Sequence, residues 1–494
     1  MNMNEKETRS READEKAITP RATDYSQWYL DIIRAADLAE YSSVKGCMVI
    51  KPNGYAIWEQ IQSVLDGKFK DYGVRNAYFP LLIPERLLKR EAAHVEGFAP
   101  EVAVVTHAGG EKLEEPLVIR PTSETIMYET YKDWIRSYRD LPLLINQWAN
   151  VIRWELRTKP FLRTTEFLWQ EGHTVHQTVD EADIFARKML STYDWFASTY
   201  MAIPVITGKK SESEKFAGAL HTYTCEAMMQ DGKALQFATS HNLGDNFAKA
   251  FDIKFLDETN TLQYAWQTSW GLSTRSIGGL IMTHSDDKGL VLPPKIAPIK
   301  VVIVPVFNAD NKEAILEKTH ELRLEIEKNS SAFPAHSIAV DERGHLRIGE
   351  KFFDWEKQGV PIRIEYGPKD IAAGQCVLVR RDTGEKIIAK TDGEISRVVT
   401  ELADAIQKNL YDTAKHRLDS NTVHANTWDE FTASIENGKF VLAHWDETSE
   451  TEKIIKEETS ATIRCIPMDA KEEVGKCIKT GLSSTKRVLF AKAY

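Results

Sequence analysis

One predicted hairpin holds arginines whose type and spacing suit an anionic ligand. From Asn150 to His176 apolar and polar residues alternate on both sides of a link, which predicts two strands joined by a basic, mobile tip. Arg153 stands in the first segment beside Trp154, and Arg163 follows the link. A guanidinium forms paired hydrogen bonds with phosphate or carboxylate, and an unpaired charge among apolar neighbours is costly. The alternative is a solvated hairpin with surface arginines, since exposed charge is the norm.

Two helix starts carry further candidates. In Arg120-Pro-Thr-Ser-Glu124, Thr122 or Ser123 suits a helix N-cap and Glu124 the first turn, and this local role is favoured on the sequence alone. The functional alternative is that the hydroxyl and the carboxylate bind an amine. Ser273-Thr-Arg275 opens a second helix, whose free N–H groups and added guanidinium would attract phosphate. An ordinary cap with a surface arginine is the alternative there.

The elements that must position these residues fall into units along the chain. We predict a disordered charged arm (1–20), a first domain (21–298) ending at a proline-rich boundary, a mostly parallel α/β domain (299–410) and a small α/β C-terminal domain (411–494). Gly278 and Gly279 inside the second helix predict close packing there, because glycine destabilises a helix interior.

Bulk properties narrow the class of protein. The 494 residues are 42% hydrophobic and 28% charged, as in soluble globular proteins. No apolar run reaches the roughly 20 residues that a bilayer requires, and the polar N-terminus lacks a signal-peptide core. Five scattered cysteines without a CxxC pair favour a reducing, cytoplasmic location. A net charge of -10 does not indicate a nucleic-acid-binding protein, although a local basic surface could still bind a nucleic acid.

These motifs together resemble the prolyl-tRNA synthetases of the shorter, archaeal/eukaryotic-like type without an inserted editing domain. The resemblance runs from about Ile18 to Tyr494 and rests on RPTSET, VIRWE, FLRTTEFLWQEGHT, SWGLSTRSIGGLIMTHSD and the closing FAKAY. It implies an α+β class II catalytic core, with an antiparallel sheet flanked by helices, followed by an α/β anticodon-binding domain and the C-terminal domain. It also implies a homodimer through the first class II signature, GCMVIKPNGYAIWEQIQ.

The resemblance implies a two-step reaction. L-proline and ATP give prolyl-adenylate and pyrophosphate, and the prolyl group then passes to the 3′ end of tRNA(Pro). Positioning and charge neutralisation dominate such chemistry, so no nucleophile–base pair is expected. ATP is a substrate and Mg²⁺ accompanies its phosphates, with Glu155 or Glu226 as candidate ligands.

The resemblance also implies the residues of the site, at the positions of this sequence that match the family's motifs. Arg153 and Arg275 would be catalytic, with Arg153 bridging the proline carboxylate and the α-phosphate. The proline-binding set would be Thr122, Glu124, Arg153, Trp169, Glu171, His173, Phe216, His241 and Ser273, with Phe98 shaping the pocket. The ATP-binding set would be Arg153, Glu155, Arg163, Thr164, Gln236, Thr239, Ser273 and Arg275. The anticodon-binding set would be Arg343, Lys351, Phe352 and Arg363, where cations meet phosphates or base edges and the ring stacks a base.

Two departures from the family pattern carry predictions. At the four positions where relatives often hold zinc with cysteines, this chain has Asp446, Thr451, Cys477 and Thr480, so we predict no structural zinc. Only about 90 residues separate the second and third signatures, which is too few for an additional editing domain of typical size.

Other functions remain to be weighed. A threonyl or histidyl enzyme is the alternative within the class, although a threonyl enzyme would be expected to use zinc in its pocket. A non-catalytic, synthetase-like regulator that binds tRNA or a metabolite is the alternative outside it, but such a protein need not keep Arg153, Arg163 and Arg275.

Overall fold

A computed structural model describes residues 17–89, 102–328 and 333–494. Most of the predicted charged arm, and Phe98, lie outside these residues. The helices are α1 Tyr25–Ala35, α2 Pro52–Asp71, α3 Glu85–Lys89, α4 Glu124–Trp134, α5 Val179–Thr199, α6 Asn246–Phe251, α7 Arg275–His284, α8 Lys312–Lys328, α9 Ile348–Lys357, α10 Pro368–Ala372, α11 Ile395–Ser420, α12 Trp428–Glu436 and α13 Ser449–Thr459. Among the described residues we find no helix with the length and apolar character needed to cross a membrane.

The strands of the first domain begin with β1 Ala39–Tyr41, β2 Met48–Ile50, β3 Arg75–Asn76, β4 Leu82–Pro84, β5 Ala103–Ala108, β6 Glu111–Ile119, β7 Leu143–Ile152 and β8 Glu166–His176. They continue with β9 Val205–Lys209, β10 His221–Met228, β11 Ala234–Gly244, β12 Lys254–Leu256, β13 Leu262–Tyr264 and β14 Trp266–Ser273. The α/β domain holds β15 Val301–Pro305, β16 Ile338–Val340, β17 Ile362–Tyr366, β18 Gln375–Arg380 and β19 Lys386–Lys390. The C-terminal unit holds β20 Thr422–His424, β21 Phe440–His444, β22 Thr462–Pro467, β23 Gly475–Lys476, β24 Ser483–Ser484 and β25 Arg487–Ala491.

A large sheet organises the first domain. Its order is β20-β21-β25-β22-β9-β10-β11-β14-β8-β7-β3, and the pairings from β22 to β7 are antiparallel. Helix α5 lies across β11, β14 and β10, and its buried residues recur at helical spacing, as an amphipathic helix on a sheet requires. This arrangement agrees with the expected antiparallel core flanked by helices.

The hairpin of β7 and β8 differs from the sequence prediction at its tip. The two strands pair from Leu143↔Val175 to Ile152↔Glu166, so Arg153 stands just beyond β7 rather than inside it. Its backbone N–H still donates to the Thr165 carbonyl at 2.8 Å. The expected mobile tip is packed in part: the Tyr29 hydroxyl donates to the Pro160 carbonyl at 2.7 Å, whereas Trp154 and Leu156 are 51% and 78% exposed.

The α/β domain has a mixed sheet in the order β16-β15-β17-β18-β19. Strands β16, β15 and β17 are parallel, but β18 and β19 are antiparallel, so the expectation of a mostly parallel sheet is only half right. The Asp382-Thr383-Gly384 turn, with Gly384 at φ +74°, is the sequence signal for this hairpin.

The C-terminal unit is joined to the first domain more closely than its sequence indicates. One continuous helix, α11, passes through the expected boundary at residues 410 and 411. Strand β22 pairs with β9 through Ile466↔Lys209 and Pro467↔Gly208, which makes the two sheets continuous. A Cβ on Gly208 would lie 2.5 Å from the Cβ of Cys465, so the close approach of these strands depends on that glycine.

Three of the four positions considered for zinc in the sequence, Asp446, Thr451 and Thr480, form a hydrogen-bonded cluster. Asp446 Oδ2 accepts from Thr451 Oγ1 and from Thr480 Oγ1, each at 2.8 Å, and its Oδ1 accepts from Thr448 Oγ1 at 2.9 Å. Cys477 is buried nearby in the chain. These hydroxyls satisfy the carboxylate, because each donates to an acceptor that would otherwise face the protein without a partner.

Candidate active site

Strand register places the predicted residues on one face of the sheet. Along β8, Trp169, Glu171 and His173 alternate and so point to the same side. Across β14, Trp169 lies opposite Ser273 and His173 opposite Ser269. The row continues on β11 and β10, because Ser269 faces His241 and His241 faces Thr222.

These rows form the floor of a cavity of about 270 Å³. Most residues of the predicted proline and ATP sets line it together: Thr122, Glu124, Arg153, Trp169, Glu171, His173, Phe216, Gln236, Thr239, His241, Ser273 and Arg275. The structure therefore brings together groups from widely separated parts of the chain, at a site where two small reactants could lie side by side.

The start of α4 supplies one wall. The Thr122 hydroxyl donates to the Glu124 carboxylate, and the Ser123 hydroxyl donates to Glu171 rather than to the helix backbone. Ser123 occupies the N-cap position without a side-chain cap hydrogen bond. Ser123 and Glu124 therefore take the predicted N-cap and first-turn positions, but their side chains bond within the buried polar cluster and not to the helix backbone.

A hydrogen-bond network fixes the Glu171 carboxylate. Gln147 Nε2 donates to Oε1 at 3.0 Å, and His173 Nε2 lies 3.1 Å from Oε2. The Tyr128 hydroxyl lies 3.0 Å from His173 Nδ1. Burial lowers the pKa of His173, but its hydrogen bond to Glu171 and the charge of Glu124 outweigh burial and leave that pKa raised. The raised pKa of His173 reflects the two carboxylates, Glu171 and Glu124, that lie beside it at this cavity wall.

Arg153 lines the cavity from the end of β7. Its Nε donates to the Pro121 carbonyl at 3.0 Å, and its guanidinium carbon lies 5.4 Å from the Phe167 ring and 5.5 Å from the Trp169 ring. Two aromatic faces and a carbonyl restrict the guanidinium to one orientation, which favours directional recognition of an anion.

Arg275 lines the same cavity from the start of α7. Its Nε donates to the Leu162 carbonyl at 3.1 Å, and its backbone N–H donates to the Ser273 hydroxyl at 3.2 Å. Burial, with repulsion from Arg153 and Arg163, lowers the pKa of Arg275 to about 10. A bound anion would relieve this repulsion.

The glycines of α7 explain how the helix reaches this position. A Cβ on Gly278 would lie 2.5 Å from Leu162 Cδ2, and one on Gly279 would lie 2.8 Å from Leu235 Cδ2. The predicted close packing is confirmed, and it seats α7 against both the hairpin tip and the sheet.

Three residues of the predicted ATP set lie outside the cavity lining. Arg163 is exposed and stands 3.7 Å from the carboxylate of Glu155, at the rim. The Thr164 hydroxyl donates to the Glu166 carbonyl at 2.7 Å and lines a separate groove. In the link between β7 and β8, the Lys159 backbone N–H donates to the Arg163 carbonyl at 2.7 Å, so the backbone turns before it reaches Arg163.

Several residues of the cavity wall escaped the sequence prediction. Ser269 is 4% exposed, and its hydroxyl has no hydrogen-bond partner among residues 17–89, 102–328 and 333–494. The sequence signal for Ser269 was its position four residues before Ser273 on β14, which places both side chains on the same face of the strand. The others include Phe167, Lys210, Glu214 and Thr222, of which only Phe167 and Thr222 follow from strand alternation.

Glu226 does not fit a role as a magnesium ligand. Its Oε1 accepts from Lys210 Nζ at 2.9 Å and from Thr224 at 2.8 Å, and its Oε2 accepts from Arg464 Nε at 3.0 Å. With two cations already on its oxygens, this carboxylate has little remaining affinity for a third. In the part of the chain that the structure describes, no group of three or more histidine, cysteine or carboxylate side chains is arranged for a metal ion.

The predicted anticodon residues lie around α9 and β17. Lys351 needs correction, since its side chain is 1% exposed and its ammonium donates to the Asp341 carbonyl at 3.0 Å. Arg343 pairs with Asp341 and with Asp354.

The aromatic member of that set is also partly covered. The Arg363 guanidinium lies 4.3 Å from the Phe352 ring, so this ring already has a stacking partner. The next residue, Phe353, is 63% exposed.

Comparisons with known proteins agree with this layout. The profile "tRNA synthetase class II core domain (G, H, P, S and T)" matches residues 106–284, "Anticodon binding domain" matches 300–409, and "Prolyl-tRNA synthetase, C-terminal" matches 428–494. A curated relative from Chlorobaculum tepidum named "Proline--tRNA ligase" is 58% identical over 485 residues, covering 97% of this chain and 99% of the relative. Relatives of the same name from Prosthecochloris aestuarii and Chloroherpeton thalassium are 55% and 56% identical over the same shares.

Proposed function

The chain belongs to the prolyl-tRNA synthetases, and on that premise we propose that its cavity holds L-proline and ATP side by side between Arg153 and Arg275. As an ATP-dependent enzyme of the proline--tRNA ligase type, it forms prolyl-adenylate and transfers proline to tRNA(Pro). The proposal for individual residues rests on the common cavity. The guanidinium groups of Arg153 and Arg275 line it together with carboxylates, hydroxyls and aromatic rings.

The ammonium of proline binds at the Thr122–Glu124 side. Glu124 is buried and accepts from Thr122, while Glu171 is fixed by its own hydrogen bonds. A secondary ammonium would satisfy these acceptors, because charge-assisted hydrogen bonds are the stronger ones. Trp169, Phe216 and His241 shape the pocket around the ring, with the Phe216 and His241 rings 4.7 Å apart.

ATP binds along the Arg153–Arg275 direction. Arg153 contacts the proline carboxylate and the α-phosphate, which must meet for in-line attack, and Arg275 contacts the outer phosphates. Gln236 and Thr239 line the same wall and offer the oxygen donors that Mg²⁺ prefers. When bound, Mg²⁺ would neutralise phosphate charge, while Glu155 and Arg163 act from the rim.

The wider assignment is also a proposal. We assign residues 21–298 to catalysis, 299–410 to anticodon binding and 411–494 to the C-terminal domain, in the shorter subtype without an editing insertion. A cytoplasmic homodimer fits the exposed apolar side chains of Tyr41, Val49 and Tyr55 around the first signature. The Asp446 hydroxyl cluster takes the place of zinc.

Proline-dependent exchange between ATP and pyrophosphate tests the site. The wild-type protein should exchange with proline and not with threonine or histidine. Arg153→Ala should lower kcat/KM by about 10²- to 10³-fold, the loss expected when a donor to developing charge is removed. Arg157→Ala, an exposed arginine in the same hairpin, is the matched control and should exchange at the wild-type rate. Unchanged exchange by Arg153→Ala would refute the role given to this residue.

A further inference from the structure

A buried ion network links the C-terminal unit to the cavity. Lys210 lines the cavity, follows β9 and is 3% exposed. Its ammonium donates to Glu226 Oε1 at 2.9 Å, and Glu226 Oε2 accepts from Arg464 Nε at 3.0 Å and Nη2 at 2.9 Å. Arg464 belongs to β22, whereas the other two residues belong to the first domain. A carboxylate buried this deeply persists as an ion only with such partners.

The strand geometry makes Arg464 a fixed part of the first domain. Two residues after it, Ile466 pairs with Lys209, and Gly208 permits the closest approach of the strands. Arg464 Nη1 also donates to Thr462 Oγ1 at 3.0 Å. The contacts with Glu226 and Thr462 therefore fix the orientation of the Arg464 guanidinium before any ligand binds.

The same carboxylate acts on Arg275. The charge of Glu226 raises the pKa of Arg275, and the charge of Arg464 lowers it, so the three groups share one electrostatic field. Without Arg464, Glu226 Oε2 would lose both of its charged hydrogen bonds. Lys210, which already donates to Oε1 and lines the cavity, would then carry the whole compensation, because an uncompensated buried charge is strongly unfavourable.

We propose that Arg464 is a positioning residue for the nucleotide: by holding Glu226, it leaves the Lys210 ammonium at the cavity wall available to the phosphates. The inference rests on the proposed binding of ATP in this cavity. It assigns the C-terminal unit a part in proline activation itself, before any tRNA is bound. One carboxylate between two cations also leaves a net positive charge beneath the cavity, which favours a polyanion.

Proline-dependent pyrophosphate exchange by the full-length chain tests the proposal. Arg464→Met should raise the KM for ATP about tenfold or more, as expected for a lost charged contact, and leave the KM for proline within about twofold. Glu226→Gln combined with Arg464→Met should return the KM for ATP to within about threefold of wild type, because the neutral amide no longer competes with the phosphates for Lys210. A role in folding alone predicts that the double variant is no better than the single one.

Controls separate this proposal from the activity itself. Arg487→Met removes the ion pair with Glu473 in the same C-terminal sheet and should leave both KM values unchanged. If Arg464→Met does not fold, Arg464→Lys with and without Glu226→Gln carries the same comparison. An unchanged KM for ATP in Arg464→Met, or a double variant as impaired as the single one, overturns the proposal. Absence of exchange by the wild-type chain would instead refute the proposed function.

Discussion

Arginines are held in opposite ways in the catalytic cavity and in the α/β domain. Arg275 is oriented by the Leu162 carbonyl and crowded by other cations, which lower its pKa to about 10. Arg343 donates to both oxygens of Asp341 and to Asp354, and these bonds raise its pKa above the ordinary value. In the first arrangement the positive charge of Arg275 remains available to attract an anionic ligand. In the second, the carboxylates of Asp341 and Asp354 neutralise the charge of Arg343 within the fold.

The largest effect should follow from removing the cavity cation. Arg275→Met should lower kcat/KM for proline-dependent exchange by about 10²- to 10³-fold, because a preorganised charge at developing negative charge is lost. Thermal stability should hold or rise, since the repulsion from Arg153 and Arg163 is relieved. Arg343→Met is the matched control and should exchange normally but unfold at a lower temperature. Normal exchange by Arg275→Met together with impaired exchange by Arg343→Met would contradict the comparison.

Acid should weaken the catalytic domain through buried imidazole. Burial lowers the pKa of His284 to about 4, although its bond to the Met201 carbonyl opposes the shift. The unfolded chain takes up this proton near pH 6.5, so stability is full above that pH and falls as the pH drops toward 4. The contribution is at most roughly 3 kcal/mol. Urea unfolding of His284→Gln between pH 7 and 4 should show a shallower loss than wild type, and equal slopes would contradict the assignment.

The sequence could predict the cavity largely because its residues sit on regular elements. Alternation along β8 and the helix start at Arg275 place side chains by periodicity alone. Lys210, Glu226 and Arg464 could not be found in this way, since β22 and β9 pair across more than half of the chain. The burial of Lys351 escaped prediction for a related reason, because helical spacing does not show which charged side chain will be buried against Asp341.

In the α/β domain, an exposed ring should matter more to tRNA than the compensated arginines do. Phe353→Ala should lower kcat/KM for tRNA(Pro) charging about tenfold, because base stacking on an aromatic ring contributes about 1–3 kcal/mol. Pyrophosphate exchange should not change. Leu324→Ala, an exposed apolar residue on α8 of the same domain, is the control and should charge normally. Impaired charging by Arg343→Met with normal charging by Phe353→Ala would reverse the ranking.

The smallest effect should come from the Asp446 cluster, where neutral hydroxyls compensate a charge. Asp446→Ala should cost roughly 1–2 kcal/mol, as for lost hydrogen bonds to a charged group, with exchange unchanged. Burial raises the pKa of Asp446, but bonds from Thr480, Thr451 and Thr448 outweigh it and lower that pKa. The contribution is therefore present above the carboxyl's unfolded pKa of about 3.9 and is lost as the pH falls through the lower folded value. Urea unfolding at pH 7 and pH 3 measures both, with Asp446→Asn expected to lie between wild type and alanine. Stoichiometric zinc that resists chelation in the purified protein would show instead that a metal, and not these hydroxyls, satisfies the carboxylate.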